Sequence, residues 1–145
     1  PIFFTRHLNT DSNAGMMSPW WHGDLIHPED LLSQINPQFD LSKGVVIEKS
    51  RYDAFYQTPL EEMLRQQKIS QVVICGVMTH LCCETTARSA FMRGFEVFFA
   101  IDGTATQNEA FHRAALLNLA HGFAVPVLAE EIICCLCRVS TQIDE

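Results

Sequence analysis

The sequence predicts an α/β protein in which helices cover both faces of a parallel sheet. Two observations support this fold class. Short apolar, strand-like runs alternate with segments of helical spacing along the 145 residues. The connections between consecutive runs are also long enough for the crossovers that parallel strands require. In such folds, binding and catalytic sites lie beyond the carboxyl ends of the strands.

The first half of the chain contains two predicted strands. Residues 2–5 are a compact apolar run that ends in polar residues, and residues 45–48 run directly into Lys49. A polar loop over 9–23 and a short helix over 28–34 separate the two strands. The loop holds four large apolar side chains that we expect to be buried: Met16, Met17, Trp20 and Trp21.

The second half of the chain continues the alternation. Residues 72–75 are apolar and β-branched, so we expect this strand to be buried on both faces. The next strand, residues 96–101, is predicted to end at Asp102. The remaining elements are helices over 59–67, 108–121 and 130–138 and a strand over 124–127.

The segment 76–90, GVMTHLCCETTARSA, follows a buried strand and has helical spacing without breakers. We expect Thr79 to cap this helix and Cys82 to be its third residue. Glu84 and Arg88 are spaced to form an ion pair along the helix. A thiol at a helix N-terminus ionises more readily, because the unpaired amides and the macrodipole stabilise negative charge.

Lys49 and Cys82 both follow predicted strands, so a parallel sheet would place them at the same edge. An ammonium near such a thiol favours the thiolate and can stabilise charge in a reaction. Two alternatives remain at this point. Lys49 could be a solvated residue at a strand end, and the adjacent Cys82 and Cys83 could simply pack a helix against the sheet.

Composition narrows the function classes. A net charge of -7 and a pI near 5.3 argue against nucleic acid and anionic membranes as partners, and no apolar run is long enough to span a bilayer. We therefore expect a small-molecule substrate. The six cysteines are clustered, which favours reduced thiols and a cytoplasmic protein. The length predicts one domain over 1–145, in which 129–145 form a C-terminal helix and tail.

Two clusters could suggest a metal, and we predict none at either. His22 and His27, with Asp24 nearby, match no common zinc-ligand spacing, so surface histidines are the better interpretation. A second cluster has tight spacing but lacks a fourth ligand, and it lies on the apolar face of a predicted helix. It consists of Cys134, Cys135 and Cys137. No cofactor is expected.

Three motifs resemble the isochorismatase-like hydrolase superfamily, which includes nicotinamidases and N-carbamoylsarcosine amidohydrolases. They are VVIEKSRYDAF, ICGVMTHLCCETTARSAF, and GFEVFFAIDGTAT with the downstream His112. The resemblance covers most of the chain up to about residue 127. It implies a three-layer α/β/α sandwich on a six-stranded parallel, Rossmann-like sheet. It also implies an Asp-Lys-Cys catalytic triad, of which Lys49 and Cys82 match two members.

The resemblance further implies a cis peptide bond between Val77 and Met78. The amides of Met78 and Cys82 would then form an oxyanion hole. The activity implied is cleavage of an amide or carbamoyl bond through a thioester on Cys82. Side chains that could form the walls of the substrate pocket are Trp20, Trp21, Tyr52 and Phe55. We also expect a homo-oligomer, either a dimer or a tetramer.

Other functions stay open within the same resemblance. Members that cleave the vinyl ether of isochorismate carry glycine where Cys82 stands, so the thiol favours acyl chemistry. The resemblance implies that nicotinamidases bind a metal with an Asp-x-His cluster. The matching stretch here is RHLNTDSN, which argues against such a metal site in this chain. A catalytically silent member that acts as a binding or assembly module is the third possibility.

The aspartate of the implied triad has no counterpart in this chain. It ends the first strand of the family fold, and that strand lies between the strands that correspond to 2–5 and 72–75. Four aspartates are candidates for this position, and none aligns with it: Asp11, Asp24, Asp53 and Asp102. We expect this first strand and its helix to lie upstream, within roughly 30 further residues. The chain as it stands should therefore be inactive.

Overall fold

The computed structural model describes the backbone of residues 1–143 and the side chains of residues 1–137. Helices alternate with strands, and every strand pair is parallel, which confirms the predicted α/β class. The elements fall into two compact units, Pro1–Gln67 and the chain from Lys68 onward, and each is described by itself. The predicted single domain stays a prediction, and the last two residues of the predicted tail lie outside the described residues.

The first unit is built on a two-stranded sheet. Strand β1 (Phe3–His7) pairs with β2 (Val45–Lys49) in register from Phe3 beside Val45 to His7 beside Lys49. Both strands therefore extend further than predicted, into their polar ends. The unit also contains two helices, α1 (Met17–Trp20) and α2 (Leu60–Gln66). The parallel register places the ends of β1 and β2 side by side.

The prediction that the apolar loop residues are buried is wrong for two of them. Met16 and Trp20 are 74% and 71% exposed, while Met17 and Trp21 are half-buried. Helix α1 is a single turn, so residues four apart share a face. Met17 and Trp21 pack inward, and Met16 and Trp20 face solvent.

The helix predicted over 28–34 is only a 3-10 turn, Leu31–Ser33. Side-chain donors bind the backbone carbonyl groups of this segment. The Ser33 hydroxyl donates to the Asp30 carbonyl at 2.7 Å. The Arg6 guanidinium donates to the Ser33 carbonyl at 2.8 Å. These bonds compete with helix extension.

The second unit is a three-stranded parallel sheet in the order β3-β4-β5. The strands are β3 (Gln71–Val77), β4 (Glu96–Ala105) and β5 (Val125–Val127). The helices are α3 (Glu84–Met92), α4 (Glu109–Gly122) and α5 (Ala129–Ile143). Phe95, just before β4, and buried residues of β4, α3 and α4 form the core of this unit. The residues of the three elements are Val97, Phe99, Ala100, Ala87, Ala90, Ala115 and Leu119. Within the part of the chain that the structure describes, no helix combines the length and apolar character needed to cross a bilayer.

Strand β3 is not buried on both faces, contrary to the prediction. Val72 and Ile74 are half-buried, whereas Val73 is exposed and Val77 is 69% exposed. The strand lies at the edge of its sheet, and β4 is its hydrogen-bonded neighbour there. The apolar run thus identified the strand correctly but not its surroundings, because composition does not report which face is covered.

Strand β4 continues to Ala105, so the prediction that it ends at Asp102 is wrong. Its register against β3 shifts, with Ile74 beside Phe99 but Gly76 beside Thr104. Within this irregular stretch, Oδ1 of Asp102 accepts a hydrogen bond from the Ala129 amide at 2.8 Å at the start of α5. The strand thereby positions the helix that follows the last strand.

Candidate active site

Cys82 and Cys83 lie in a π-helical turn, Thr79–Cys83, which we call the cysteine turn. Helix α3 begins only after it, at Glu84, so the prediction that Cys82 is the third residue of a regular helix is wrong. The Met78 carbonyl accepts hydrogen bonds from the Leu81 amide at 3.1 Å and the Cys83 amide at 3.2 Å. The bond from the Cys83 amide joins residues five apart, which makes the turn wider than that of an α-helix.

Two bonds between threonine and histidine hold the cysteine turn against the segments that follow β4. Thr79 is fully buried, and its Oγ1 lies 3.0 Å from Nδ1 of His112 on α4. Nδ1 of His80 lies 2.7 Å from Oγ1 of Thr106, and the His80 ring stacks on Phe111 at 4.4 Å between centroids. The prediction that Thr79 caps the helix is therefore wrong. Its hydroxyl is used in a tertiary contact.

The two thiols differ in accessibility. Cys82 is half-buried, while Cys83 is buried, with 5% of its surface exposed. A reagent or substrate can therefore reach Cys82 more easily than Cys83.

Two further features flank the cysteine turn. The peptide bond between Val77 and Met78, immediately before the turn, is cis. After the turn, the predicted Glu84–Arg88 ion pair is confirmed, with 2.7 Å between Nη2 and Oε1.

Lys49, the last residue of β2, is buried, with only 5% of its surface exposed. The alternative of a solvated lysine is therefore wrong. Its Nζ donates to the Arg51 carbonyl at 2.8 Å and lies 3.4 Å from Nδ1 of His7. A buried ammonium loses much of its hydration, so these contacts stabilise its charge.

His7 and Asn9 complete this cluster at the end of β1. Asn9 is buried, and its Nδ2 donates to the Ser50 carbonyl at 3.1 Å, while its Oδ1 lies 2.8 Å from Nε2 of His7. Burial lowers the pKa of His7, and the charges of Lys49 and Arg51 lower it further, while the hydrogen bond to Asn9 opposes the shift. Sequence reasoning assigned neither residue a role. The signal was present, because parallel pairing brings the polar end of β1 beside Lys49.

The predicted pocket residues have different surroundings. Nε1 of Trp21 donates to the Tyr52 hydroxyl at 2.8 Å, and the Tyr52 ring lies 6.4 Å from the His7 ring. Trp20 is exposed and Phe55 is buried. Trp21 and Tyr52 thus lie beside the cluster of His7, Asn9 and Lys49. The substrate-binding roles of all four aromatic residues stay predictions.

Comparison with known proteins gives consistent matches. The Isochorismatase domain model matches residues 1–131. Nicotinamidase 3 of Arabidopsis thaliana is 43% identical over 137 residues, which are 91% of this chain and 69% of that protein. The isochorismatase of Bacillus subtilis is 32% identical over 138 residues, 92% of this chain but only 43% of that protein. This chain therefore spans less than half the length of that second relative.

The fold is also similar to that of solved structures. A cysteine hydrolase from Pseudomonas syringae pv. phaseolicola superposes with a TM-score of 0.84 over 90% of this chain and 69% of that one, at 24% sequence identity. At this identity, the likeness supports the fold alone. It confirms the predicted α/β architecture.

Proposed function

Since the chain belongs to the isochorismatase family of hydrolases, we propose that it cleaves a C–N bond in a small amide or carbamoyl compound through a thioester on Cys82. The observation that carries the proposal is the half-buried Cys82 in the cysteine turn, in a chain 43% identical to a nicotinamidase. An accessible thiol in a turn that leads into a helix suits nucleophilic catalysis.

In the first half of the reaction, the Cys82 sulfur attacks the carbonyl carbon of the substrate and forms a C–S bond. The carbonyl oxygen gains negative charge, which the amides of Met78 and Cys82 stabilise by donating hydrogen bonds. The triad aspartate that the family resemblance implies takes up the thiol proton and delivers it to the nitrogen, the C–N bond breaks, and ammonia or an amine leaves. The acyl group remains on sulfur as a thioester.

In the second half, water attacks the thioester carbonyl and the C–S bond breaks. The acid product leaves and the sulfur regains a proton, so the enzyme returns to its starting state. Lys49 acts electrostatically by stabilising negative charge during these steps. Its burial and its defined contacts with Arg51 and His7 support this role, because a preorganised charge in a water-poor site acts strongly.

A second candidate is hydrolysis of a vinyl ether, as in isochorismatase. The 32% identity to the Bacillus subtilis isochorismatase favours it. However, the family resemblance places glycine at the position of Cys82 in enzymes of that type. A reaction that needs no thiol would leave Cys82 without a chemical role, so we favour the amide.

The test is a panel of three substrates: nicotinamide, an N-carbamoyl amino acid and isochorismate. Like every activity measurement below, it uses protein that includes the first strand and the triad aspartate that the family resemblance implies. We expect release of ammonia from one of the first two, lost in Cys82→Ala with folding intact and largely retained in the matched control Cys83→Ala. Cleavage of isochorismate that survives Cys82→Ala would favour the second candidate. A folded protein that turns over none of the three would favour the catalytically silent module.

A further inference from the structure

We propose that His7 is a positioning residue that holds the Lys49 ammonium through the lone pair on Nδ1, in the tautomer that Asn9 selects. The proposal rests on the electrostatic role of Lys49 in the proposed function. It assigns a role to two residues, His7 and Asn9, that the catalytic motifs do not contain.

The tautomer follows from a chain of hydrogen bonds. The Ser50 carbonyl can only accept, so the amide nitrogen of Asn9 faces it at 3.1 Å. The oxygen of Asn9 then faces Nε2 of His7 at 2.8 Å, which requires the ring proton on Nε2. Nδ1 is left with its lone pair, and the Lys49 ammonium lies 3.4 Å from it. The buried Asn9 thereby orients the acceptor on His7 toward Lys49.

The surroundings of His7 keep its ring neutral at neutral pH. Burial lowers its pKa below the ordinary value of 6.5, and the positive charges of Lys49 and Arg51 act in the same direction. Hydrogen bonding to Asn9 and to the Arg51 backbone opposes the shift, and the ring of Tyr52 is the neighbouring aromatic group. A neutral ring can accept from Lys49.

Protonation of His7 would reverse this contact. The added proton would occupy Nδ1 and face the Lys49 ammonium, and it would compete with Lys49 for the Arg51 carbonyl. Lys49 would then lose the acceptor on His7 and share the Arg51 carbonyl. The geometry therefore couples the position of Lys49 to the protonation of His7, and we expect turnover to fall as the pH decreases through the His7 titration.

Two variants separate positioning from packing. His7→Asn keeps an acceptor oxygen near the place of Nδ1, while His7→Leu fills similar space without an acceptor. Because hydrogen bonds to charged groups are the stronger ones, we expect kcat to fall about tenfold or more in His7→Leu, with KM little changed. His7→Asn should retain most of kcat and lose the acid limb of the pH profile. Equal kcat in both variants would overturn the proposal.

A measurement without turnover tests the contact itself. The chain has only three lysines, Lys43, Lys49 and Lys68, so side-chain NMR of the protein with isotope-labelled lysine gives a simple spectrum. We expect the Lys49 signal to shift with an inflection below pH 6.5, absent from the other two and lost in His7→Asn. A Lys49 signal without this inflection would overturn the proposal even if the enzyme is active. If the inflection is present but Lys49→Ala keeps full turnover, the failure lies in the proposed role of Lys49.

Discussion

Replacing Thr79 with valine should remove the bond that ties the cysteine turn to α4. Valine has nearly the same shape, so the core keeps its packing and the change isolates the hydroxyl. Thr79 is fully buried, whereas its partner His112 is partly exposed. Nδ1 of His112 can therefore recover a hydrogen bond to water, which puts the loss near the lower end of the range for a broken buried bond, about 1 kcal/mol. This corresponds to roughly a fivefold decrease in the folding equilibrium constant.

The assay is urea denaturation of a double-mutant cycle built from Thr79→Val and His112→Phe. Because the two side chains contact each other directly at 3.0 Å, we expect their effects to be non-additive by about 0.5–1.5 kcal/mol. We also expect turnover of Thr79→Val to fall at temperatures where it is fully folded, since the turn carries Cys82. Additive effects on stability together with unchanged turnover would refute the reasoning.

Three further outcomes are expected from the same physical arguments. Gly15→Ala should destabilise the protein by about 1 kcal/mol or more, because Gly15 has φ 53° and an added Cβ would lie 2.5 Å from the Arg51 guanidinium. Gly23→Ala, with φ 81° and open space around it, is the matched control for backbone strain alone, and equal urea midpoints for the two variants would contradict the contact. The lowered pKa of His7 means that its contribution to stability is complete above pH 6.5 and is lost as the pH falls, so the urea midpoint should decrease on acidification less in His7→Asn than in the natural protein. Lys49→Ala should lower kcat far more than it changes KM, and near-normal turnover would remove Lys49 from the mechanism.

The elements were predictable because their signals are local. Apolar runs and helical spacing identified the strands and helices, and the four-residue spacing of Glu84 and Arg88 identified an ion pair that the structure contains. Errors arose where a local pattern has several solutions. The segment after β3 has the composition of a helix start, but the Met78 carbonyl accepts a hydrogen bond from the amide of Cys83, five residues later, and the turn is wider.

Contacts between distant residues were not predictable from the sequence. The local sequence predicts that Thr79 is a helix cap, because it does not show that His112, 33 residues later, lies beside Thr79. Likewise, His7 becomes relevant to Lys49 only once the register of β1 and β2 is known, since 42 residues separate them. Exposure also depends on what covers a face, as Trp20 and Val77 show.

The central claim is that Cys82 is the activated thiol, and competitive labelling tests it most directly. Four other cysteines are more exposed than Cys82: Cys75, Cys134, Cys135 and Cys137. Accessibility alone therefore predicts that these four react first with limiting iodoacetamide near pH 7, whereas activation of the nucleophile predicts that Cys82 reacts first. Peptide mass spectrometry of the labelled protein gives the order. Preferential labelling of Cys82, with Cys83 unmodified, is the result we predict, and labelling that follows exposure or that favours Cys83 would contradict the account.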